Sequence, residues 1–420
     1  MPHSDILTQC MHCGLCLAVC PTYDITKLER SSPRGRIRLI KELAEGKSEI
    51  SDTFIKEMNF CLDCQACETA CPAGVKYGQM VEAARNYITE VEAEKGLKNR
   101  IKRFFLNRIL ANAPALSVFS FFMALYRKSG LQWLIRKTSI LKVLPGNLAE
   151  VESLSPEFEF FPPKYREIEK VYGASAAGTM AFHTGCLMKH AFGNINNDTV
   201  KLMQINGFDV LIPEDQVCCG SLHAHNGEGK MAIELAKKNI DRFTGKEYQF
   251  LISNSAGCGA FMKEYGHLFE DDPEYREKAR VFSQKVKDIS ELLAEINFEQ
   301  HCVSIAGEVT YHDACHLCHT QKITQQPRQV IKRIPGIEYK ELEDSTWCCG
   351  SAGIYNVMEY ESSMKFLQKK LTKIQDTRAK IVLTGNPGCI GQIKAGFQRG
   401  TEKIEVLHPV ELIMRAHKKG

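Results

Sequence analysis

Residues 10–21 read Cys10-Met-His-Cys13-Gly-Leu-Cys16-Leu-Ala-Val-Cys20-Pro21, four cysteines in eleven residues closed by a proline. Starting 51 residues later the pattern returns as Cys61-Leu-Asp-Cys64-Gln-Ala-Cys67-Glu-Thr-Ala-Cys71-Pro72. A single C-x2-C pair is common at zinc sites. Two full copies with identical spacing and a terminal proline argue against zinc and for a larger soft-metal centre. Disulfides are disfavoured too. The first ten residues hold no apolar run behind positive charge, the mark of a secretory signal, and thiols kept out of an oxidising compartment stay reduced. A cytoplasmic location is expected.

The spacing resembles that of bacterial-type two-cluster ferredoxins, in which each run gives three thiolates to one [4Fe–4S] cluster and its fourth to the other. On that resemblance one cluster is held by Cys10, Cys13, Cys16 and Cys71, and the second by Cys61, Cys64, Cys67 and Cys20. A helical, ferredoxin-like domain is expected over residues 1–94. Within it Ser32-Pro33 marks a helix start whose basic residues Arg34, Arg36, Arg38 and Lys41 are expected to point outward, as a solvated face or a docking surface. Gln79 to Glu94 reads as a helix with Met80, Ala83, Ala84, Tyr87 and Ile88 on one side.

The 420 residues, 44% of them hydrophobic, suffice for two or three domains with their own cores. The formal charge of +4 gives no argument for nucleic acid as a partner. Charge is instead unevenly placed. Between Glu94 and Glu150 there is no acidic residue, while Lys95, Lys98, Arg100, Lys102, Arg103, Arg108, Arg127, Lys128, Arg136, Lys137 and Lys142 form a one-sign block. Ile109 to Tyr126 runs uncharged for eighteen residues, the threshold for a membrane span, but Asn112, Pro114, Ser117 and Ser120 interrupt it. The segment reads as a buried helical layer, a helix that docks a partner subunit, or a basic helix on an anionic membrane surface. Residues 145–178, rich in proline, glycine and alanine, read as a linker, so 95–178 is taken as a basic helical segment and linker.

Ten of the eighteen cysteines lie outside the first two runs, and most of these form an internal repeat. His183-Thr-Gly-Cys186 returns as His312-Asp-Ala-Cys315, Cys218-Cys219-Gly220-Ser221 as Cys348-Cys349-Gly350-Ser351, and Ser255-Ala-Gly-Cys258 as Asn386-Pro-Gly-Cys389. Matching cysteines are 129, 130 and 131 residues apart. Short apolar runs at 179–183, 250–253, 309–312 and 380–384 read as buried strands, and amphipathic helices are expected at 198–206, 231–243, 327–334 and 355–374. Strands alternating with helices imply parallel sheets with right-handed crossovers, and sites in such sheets gather at the carboxyl ends of the strands. The cysteines fall there. Two duplicated α/β modules are expected, at 179–300 and 301–420. The first brings together Cys186, Cys218, Cys219 and Cys258, the second Cys315, Cys348, Cys349 and Cys389. Adjacent cysteines suit a multi-iron cluster better than one tetrahedral ion. Cys302 and Cys318 have no counterpart and read as reduced and structural, while His183 and His312 recur just before a ligand cysteine, placed either to donate to a cluster sulfur or to sit as satisfied core residues.

Two ferredoxin runs followed by two CCG modules resemble the iron–sulfur subunit of glycolate oxidase (glycolate dehydrogenase) over nearly the whole chain. The strings that carry this are Cys13-Gly-Leu-Cys16, Cys20-Pro-Thr-Tyr23, Pro33-Arg-Gly-Arg36, Ser255-Ala-Gly-Cys-Gly-Ala-Phe-Met-Lys-Glu-Tyr-Gly266 and Cys348-Cys-Gly-Ser-Ala-Gly353. Iron–sulfur subunits of anaerobic glycerol-3-phosphate dehydrogenase, lactate-utilisation proteins and heterodisulfide reductase share the layout. The reductase module ends C-x-x-C, whereas here Cys258 and Cys389 lack that last cysteine, which favours electron carriage over a cluster acting directly on a disulfide. The resemblance implies two [4Fe–4S] clusters in the ferredoxin part, one further iron–sulfur cluster per CCG module, FAD on a partner dehydrogenase subunit, and a quinone acceptor at the inner face of the membrane. Consistent with this division, no G-x-G-x-x-G follows an expected strand, and no acid/base pair suited to taking hydride from a hydroxy acid is evident.

Overall fold

The computed structural model describes residues 4–91, 96–138, 140–143, 147–170, 177–400 and 402–417. Up to residue 91 the described chain is helical. Helices Pro33–Ala44, Asp52–Phe60 and Tyr77–Glu90 bury Ile37, Ile40, Phe54, Met58, Met80, Val81, Ala84 and Ile88 against one another. Ser32 caps the first, accepting from Gly35 N at 3.0 Å with Pro33 in the first turn, and Ser51 caps the second. The third begins two residues earlier than expected and its described part ends at Glu90; residues 92–94 lie outside the described chain. One expectation fails. Arg36 does not point outward but is fully buried, because it shares the inward row of Pro33, Ile37 and Ile40.

The first α/β module is a five-stranded sheet of β1 (Ile168–Glu169), β2 (Gly178–Phe182), β3 (Phe208–Leu211), β4 (Leu251–Ser253) and β5 (Val286–Asp288), ordered β1-β3-β2-β4-β5. The second has β6 (Gly307–Tyr311), β7 (Ile337–Tyr339), β8 (Ile381–Leu383) and β9 (Glu405–Leu407), ordered β7-β6-β8-β9. Every pairing is parallel except β1 with β3. Stripped of β1 the two orders coincide, as the cysteine repeat requires. The end of the segment read as a linker is therefore partly sheet, with Ile168 opposite Leu211. Met180, Phe182, Val210 and Ile252 of the first module share one apolar core with Val309, Tyr311, Leu383 and Leu407 of the second, so the two sheets bury each other.

The basic segment forms an arm on this body. Helix Leu97–Phe104 runs into a π-helical stretch, Phe105–Leu110. The chain breaks at Ala111 and restarts as Ala113–Lys128, capped by Asn112 with Pro114 in its first turn, followed by Leu131–Thr138. Leu106, Leu110 and Leu116 pack on Cys218 and Leu235. Among the described residues no single helix is long and apolar enough to cross a membrane; Leu97–Leu110 and Ala113–Lys128 together have the length and composition but meet at 108°.

Candidate metal centres

The loops of the ferredoxin part wrap their cysteines through backbone conformations that side chains seldom adopt. His12, Asp63 and Gln65 have φ of 55°, 52° and 58°, and Gly14 has 89°. Cys10, Cys13, Cys16 and Cys71 line one small cavity together with Cys67. Cys20, Cys61, Cys64 and Cys67 line another. The structure thus brings Cys20 beside the second run and Cys71 beside the first, the exchange of fourth members that the ferredoxin resemblance implies. Cys13 is exposed, whereas Cys20, Cys61 and Cys67 are buried. Around the inner group, Tyr77 Oη donates to Cys61 Sγ at 3.4 Å, as does Asp63 N at 3.4 Å. Arg36 Nη1 donates to Thr22 Oγ1 at 3.1 Å and Ser31 O at 2.8 Å, and Cys20 Sγ lies 3.3 Å from that same Thr22 oxygen. Burial holds the Cys64 and Cys67 thiols well above their ordinary pKa; without a cation they would stay protonated.

In each α/β module the four cysteines follow strand ends: Cys186 after β2, Cys218 and Cys219 after β3, Cys258 after β4, and Cys315, Cys348, Cys349 and Cys389 after β6, β7 and β8. The glycine of each Cys-Cys-Gly turn is in the left-handed region, Gly220 at φ 93° and Gly350 at 86°. A side chain at Gly350 would come within 2.5 Å of Ser363 O. The turn aims the glycine N–H at the first cysteine, at 3.5 Å from Cys218 Sγ and 3.4 Å from Cys348 Sγ.

The thiols of the first quartet form a contact chain, Cys186 to Cys218 to Cys219 to Cys258. The second repeats it as Cys315, Cys348, Cys349 and Cys389. Donation from Cys186 holds Cys218 well below the thiol range, and donation from Cys219 takes Cys258 to about 5 with help from His183. His183 is buried beside Cys258, and His312 stands with Cys349 and Cys389 in a group whose ligand atoms lie within 4.8 Å of one another. His312 Nδ1 is taken by Ser345 O at 3.1 Å. Four soft donors at matching strand ends, with the imidazole of His183 beside Cys258 and that of His312 beside Cys349 and Cys389, fit a thiolate-held cluster with a histidine next to it in each copy.

The eight cysteines of the two quartets line a single cavity of about 520 Å³ between the modules, and Cys61 and Cys64 reach its wall. Leu62, Cys64, Cys315, Cys348 and Tyr355 form one apolar cluster. The inner ferredoxin group therefore abuts the second quartet. The junction is fixed by ionic and polar contacts: Arg85 Nη2 donates to Met58 O at 2.9 Å and its Nη1 to His225 O at 2.6 Å, while His225 Nδ1 meets Glu82 at 2.5 Å and Asp63 at 3.2 Å. Glu82 and Asp63 raise the His225 pKa to about 10 against the cost of burial.

Comparison with known proteins gives the family. The 4Fe-4S dicluster domain family matches residues 6–75, the cysteine-rich (CCG) domain family residues 180–263 and 309–394, and the linker region of the glycolate oxidase iron-sulfur subunit residues 97–155. Over 98% of this chain and 94% of the relative, the sequence is 40% identical to a protein of Bacillus subtilis named "Probable glycolate oxidase iron-sulfur subunit". The chain belongs to the glycolate oxidase iron–sulfur subunit family. The Escherichia coli glycolate oxidase iron-sulfur subunit is 29% identical over 99% of this chain and 95% of that one. Lactate utilization protein A of Bacillus licheniformis is 28% identical over 54% of this chain and 95% of its own length. As a member of this family the chain is an iron–sulfur protein of an oxidoreductase complex.

Sequence reading missed three buried cations, Arg85 of the junction among them. Arg36 lies under the inner ferredoxin group, and Lys370, fully buried, donates to Asp344 O at 2.5 Å and Ser345 O at 3.2 Å beside the second quartet, its pKa lowered to about 8 by burial. The signal was present. Lys370 shares a helical row with Ser363, Phe366, Leu367 and Ile374, all buried, and a charged residue in an apolar row is placed there for a partner. Cys302 and Cys318 are buried and do not line the cavity, as expected of structural thiols.

Proposed function

We propose that this chain is the electron-carrying subunit of a flavin-dependent glycolate dehydrogenase complex, taking electrons from an FAD-bearing partner that oxidises glycolate to glyoxylate and delivering them to a membrane quinone. The observation that carries this reading is spatial. The sixteen repeated cysteines stand in four groups, and the outer group with its exposed Cys13, the more buried inner group and the second-module quartet follow one another, with the first-module quartet across the shared cavity. Cys10, Cys13, Cys16 and Cys71 would hold one [4Fe–4S] cluster and Cys20, Cys61, Cys64 and Cys67 a second, with one further cluster on each CCG quartet. Bound there, such clusters supply one-electron carriage, which a flavin delivering two electrons needs next to it.

The chain's own residues have three tasks. The left-handed loop residues and the Cys-Cys-Gly turns set the thiolates. The buried Arg36 and Lys370 offset negative charge on the cluster–thiolate sets, and His183 and His312 pack beside the CCG cysteines. The apolar packing of Leu62 and Tyr355 between the second group and the second quartet excludes water. Substrate chemistry is assigned to the partner because this sequence offers neither a dinucleotide loop nor an acid/base pair for it. A peripheral position at the inner membrane face follows from a lipid-soluble acceptor.

The test is anaerobic purification of the tagged chain with its co-purifying partners, followed by addition of glycolate, D-lactate or glycerol 3-phosphate while cluster absorbance is recorded. Bleaching by glycolate through a flavin is expected. Bleaching by one of the other two would reassign the substrate, and no response from a dithionite-reducible protein would reject the dehydrogenase reading.

A further inference from the structure

The arm carries an apolar surface that the other described residues leave uncovered. Helix Ala113–Lys128 buries Leu116, Ser120 and Ala124, and its opposite side shows Val118, Phe122 and Leu125 to solvent, Phe122 at 60% exposure. Trp133 is 62% exposed on the next helix, beside Leu131 and Leu134, and Leu97, Ile101 and Phe104 form an exposed row on the first. Scattered apolar residues on a surface are ordinary, but three consecutive helices each showing such a row are not.

Charge selects the occupant. No acidic residue lies between 95 and 149, and the glutamates that pair with Arg103, Arg127, Lys128 and Arg136 come from elsewhere in the chain, leaving Lys98, Arg100, Arg108 and Lys137 as exposed cations of the arm. Lys137 Nζ sits 4.7 Å over the Trp133 ring, an indole and an ammonium side by side at the same edge. Aromatic and aliphatic side chains mixed with lysine and arginine on short helices that do not span match the interface of an anionic bilayer.

The arm also borders the central cavity. Lys98, Asn99 and Lys102, from the same helix as the Leu97, Ile101 and Phe104 row, line it, and its exposed wall is completed by Asp52, Lys56 and Gly353. We propose that the three helices of residues 97–138 seat on an anionic lipid surface, so that the cavity holding both CCG quartets opens at the bilayer, where a lipid-soluble acceptor enters without crossing water. This rests on the quinone reading above, but the lipid contact is tested apart from it.

The probe is vesicles of phosphatidylcholine with or without phosphatidylglycerol, added to the full chain with its clusters loaded. Flotation with the phosphatidylglycerol vesicles and not with phosphatidylcholine alone is expected. The Phe122→Glu and Trp133→Glu variants should each lower the partition coefficient by about tenfold or more while iron content and dithionite bleaching stay as in wild type. In a Trp347→Phe background, brominated lipid should quench Trp133; in a Trp133→Phe and Trp347→Phe background, it should quench the indole introduced by Ile101→Trp, next to the cavity. Absence of binding, binding indifferent to both glutamate variants, or an unquenched indole at 101 overturns the proposal. Variants that keep vesicle binding but lose the flavin-bearing partner overturn it in favour of a subunit interface. Vesicle binding as expected, with no reduction of quinone carried in the same vesicles by the glycolate-fed complex, upholds the lipid surface and rejects the acceptor reading.

Discussion

Arg36→Met removes a cation buried beneath the inner ferredoxin group. Its Nη1 is 3.1 Å from Thr22 Oγ1, and Cys20 Sγ is 3.3 Å from that same oxygen, so guanidinium nitrogen and sulfur are no more than about 6.4 Å apart. Two unit charges at that separation interact by about 2.5 kcal/mol at an effective dielectric of ~20. A one-electron couple moves 59 mV per tenfold change in equilibrium constant, so the reduction potential should fall by about 100 mV, because reduction adds negative charge that the arginine no longer offsets. The substitution also takes one of the two arginines away from the buried Glu57, which keeps Arg30 and Ser31; the Arg36→Met, Glu57→Gln double variant removes that carboxylate as well. The assay is a redox titration of the anaerobic chain followed by electron paramagnetic resonance. One centre should shift down by about 100 mV in Arg36→Met, by less in the double variant, where a buried anion 3.5 Å away goes with the cation, and return towards wild type in Arg36→Lys. A centre that does not move, or an equal shift in every centre, refutes the electrostatic reasoning.

Gly350→Ala should cost about 1–3 kcal/mol from its left-handed backbone alone, with more from the approach to Ser363 O, and should lower the iron bound by the second module, read by chemical denaturation and iron analysis. Cys318→Ala and Cys302→Ala should keep wild-type iron content, while Cys349→Ala should not; equal loss in all three would mean the quartet is misassigned. His408 uses both ring nitrogens as a neutral imidazole, Nε2 donating to Asn254 O at 3.0 Å and Nδ1 accepting from Val410 N at 3.2 Å, and burial lowers its pKa to about 4. The unfolded chain takes up the proton first, so this stability is present above about pH 6.5 and is lost as pH falls towards 4, amounting to about 2 kcal/mol by pH 5. Denaturation midpoints at pH 7 and 5 should diverge more for wild type than for His408→Asn; parallel loss in both would remove His408 as the cause.

Much of this was legible in the sequence because cysteine spacing is set by cluster geometry and survives translation into structure. The exchange of Cys20 and Cys71 was implied by the resemblance to two-cluster ferredoxins, while the strand-end placement of each quartet and the parallel order of β2, β4, β6 and β8 follow from spacing and period. What escaped depends on contacts between distant segments. β1 is two residues long and is a strand only because β3 lies beside it. Arg36 reads as a surface residue until the Thr22, Ser31 and Glu57 oxygens surround it. The junction of Asp63, Glu82, Arg85 and His225 joins residues more than a hundred apart, and the convergence of both quartets on one cavity depends on how two modules pack, which no local pattern encodes.

The most direct test compares wild-type and Cys64→Ala complexes fed with glycolate, recording flavin bleaching and quinone reduction together. Cys64 lies between the ferredoxin part and the second CCG quartet. Flavin bleaching retained with quinone reduction abolished is the expected result. Quinone reduction at the wild-type rate in Cys64→Ala would contradict the claim that this chain is the route between them.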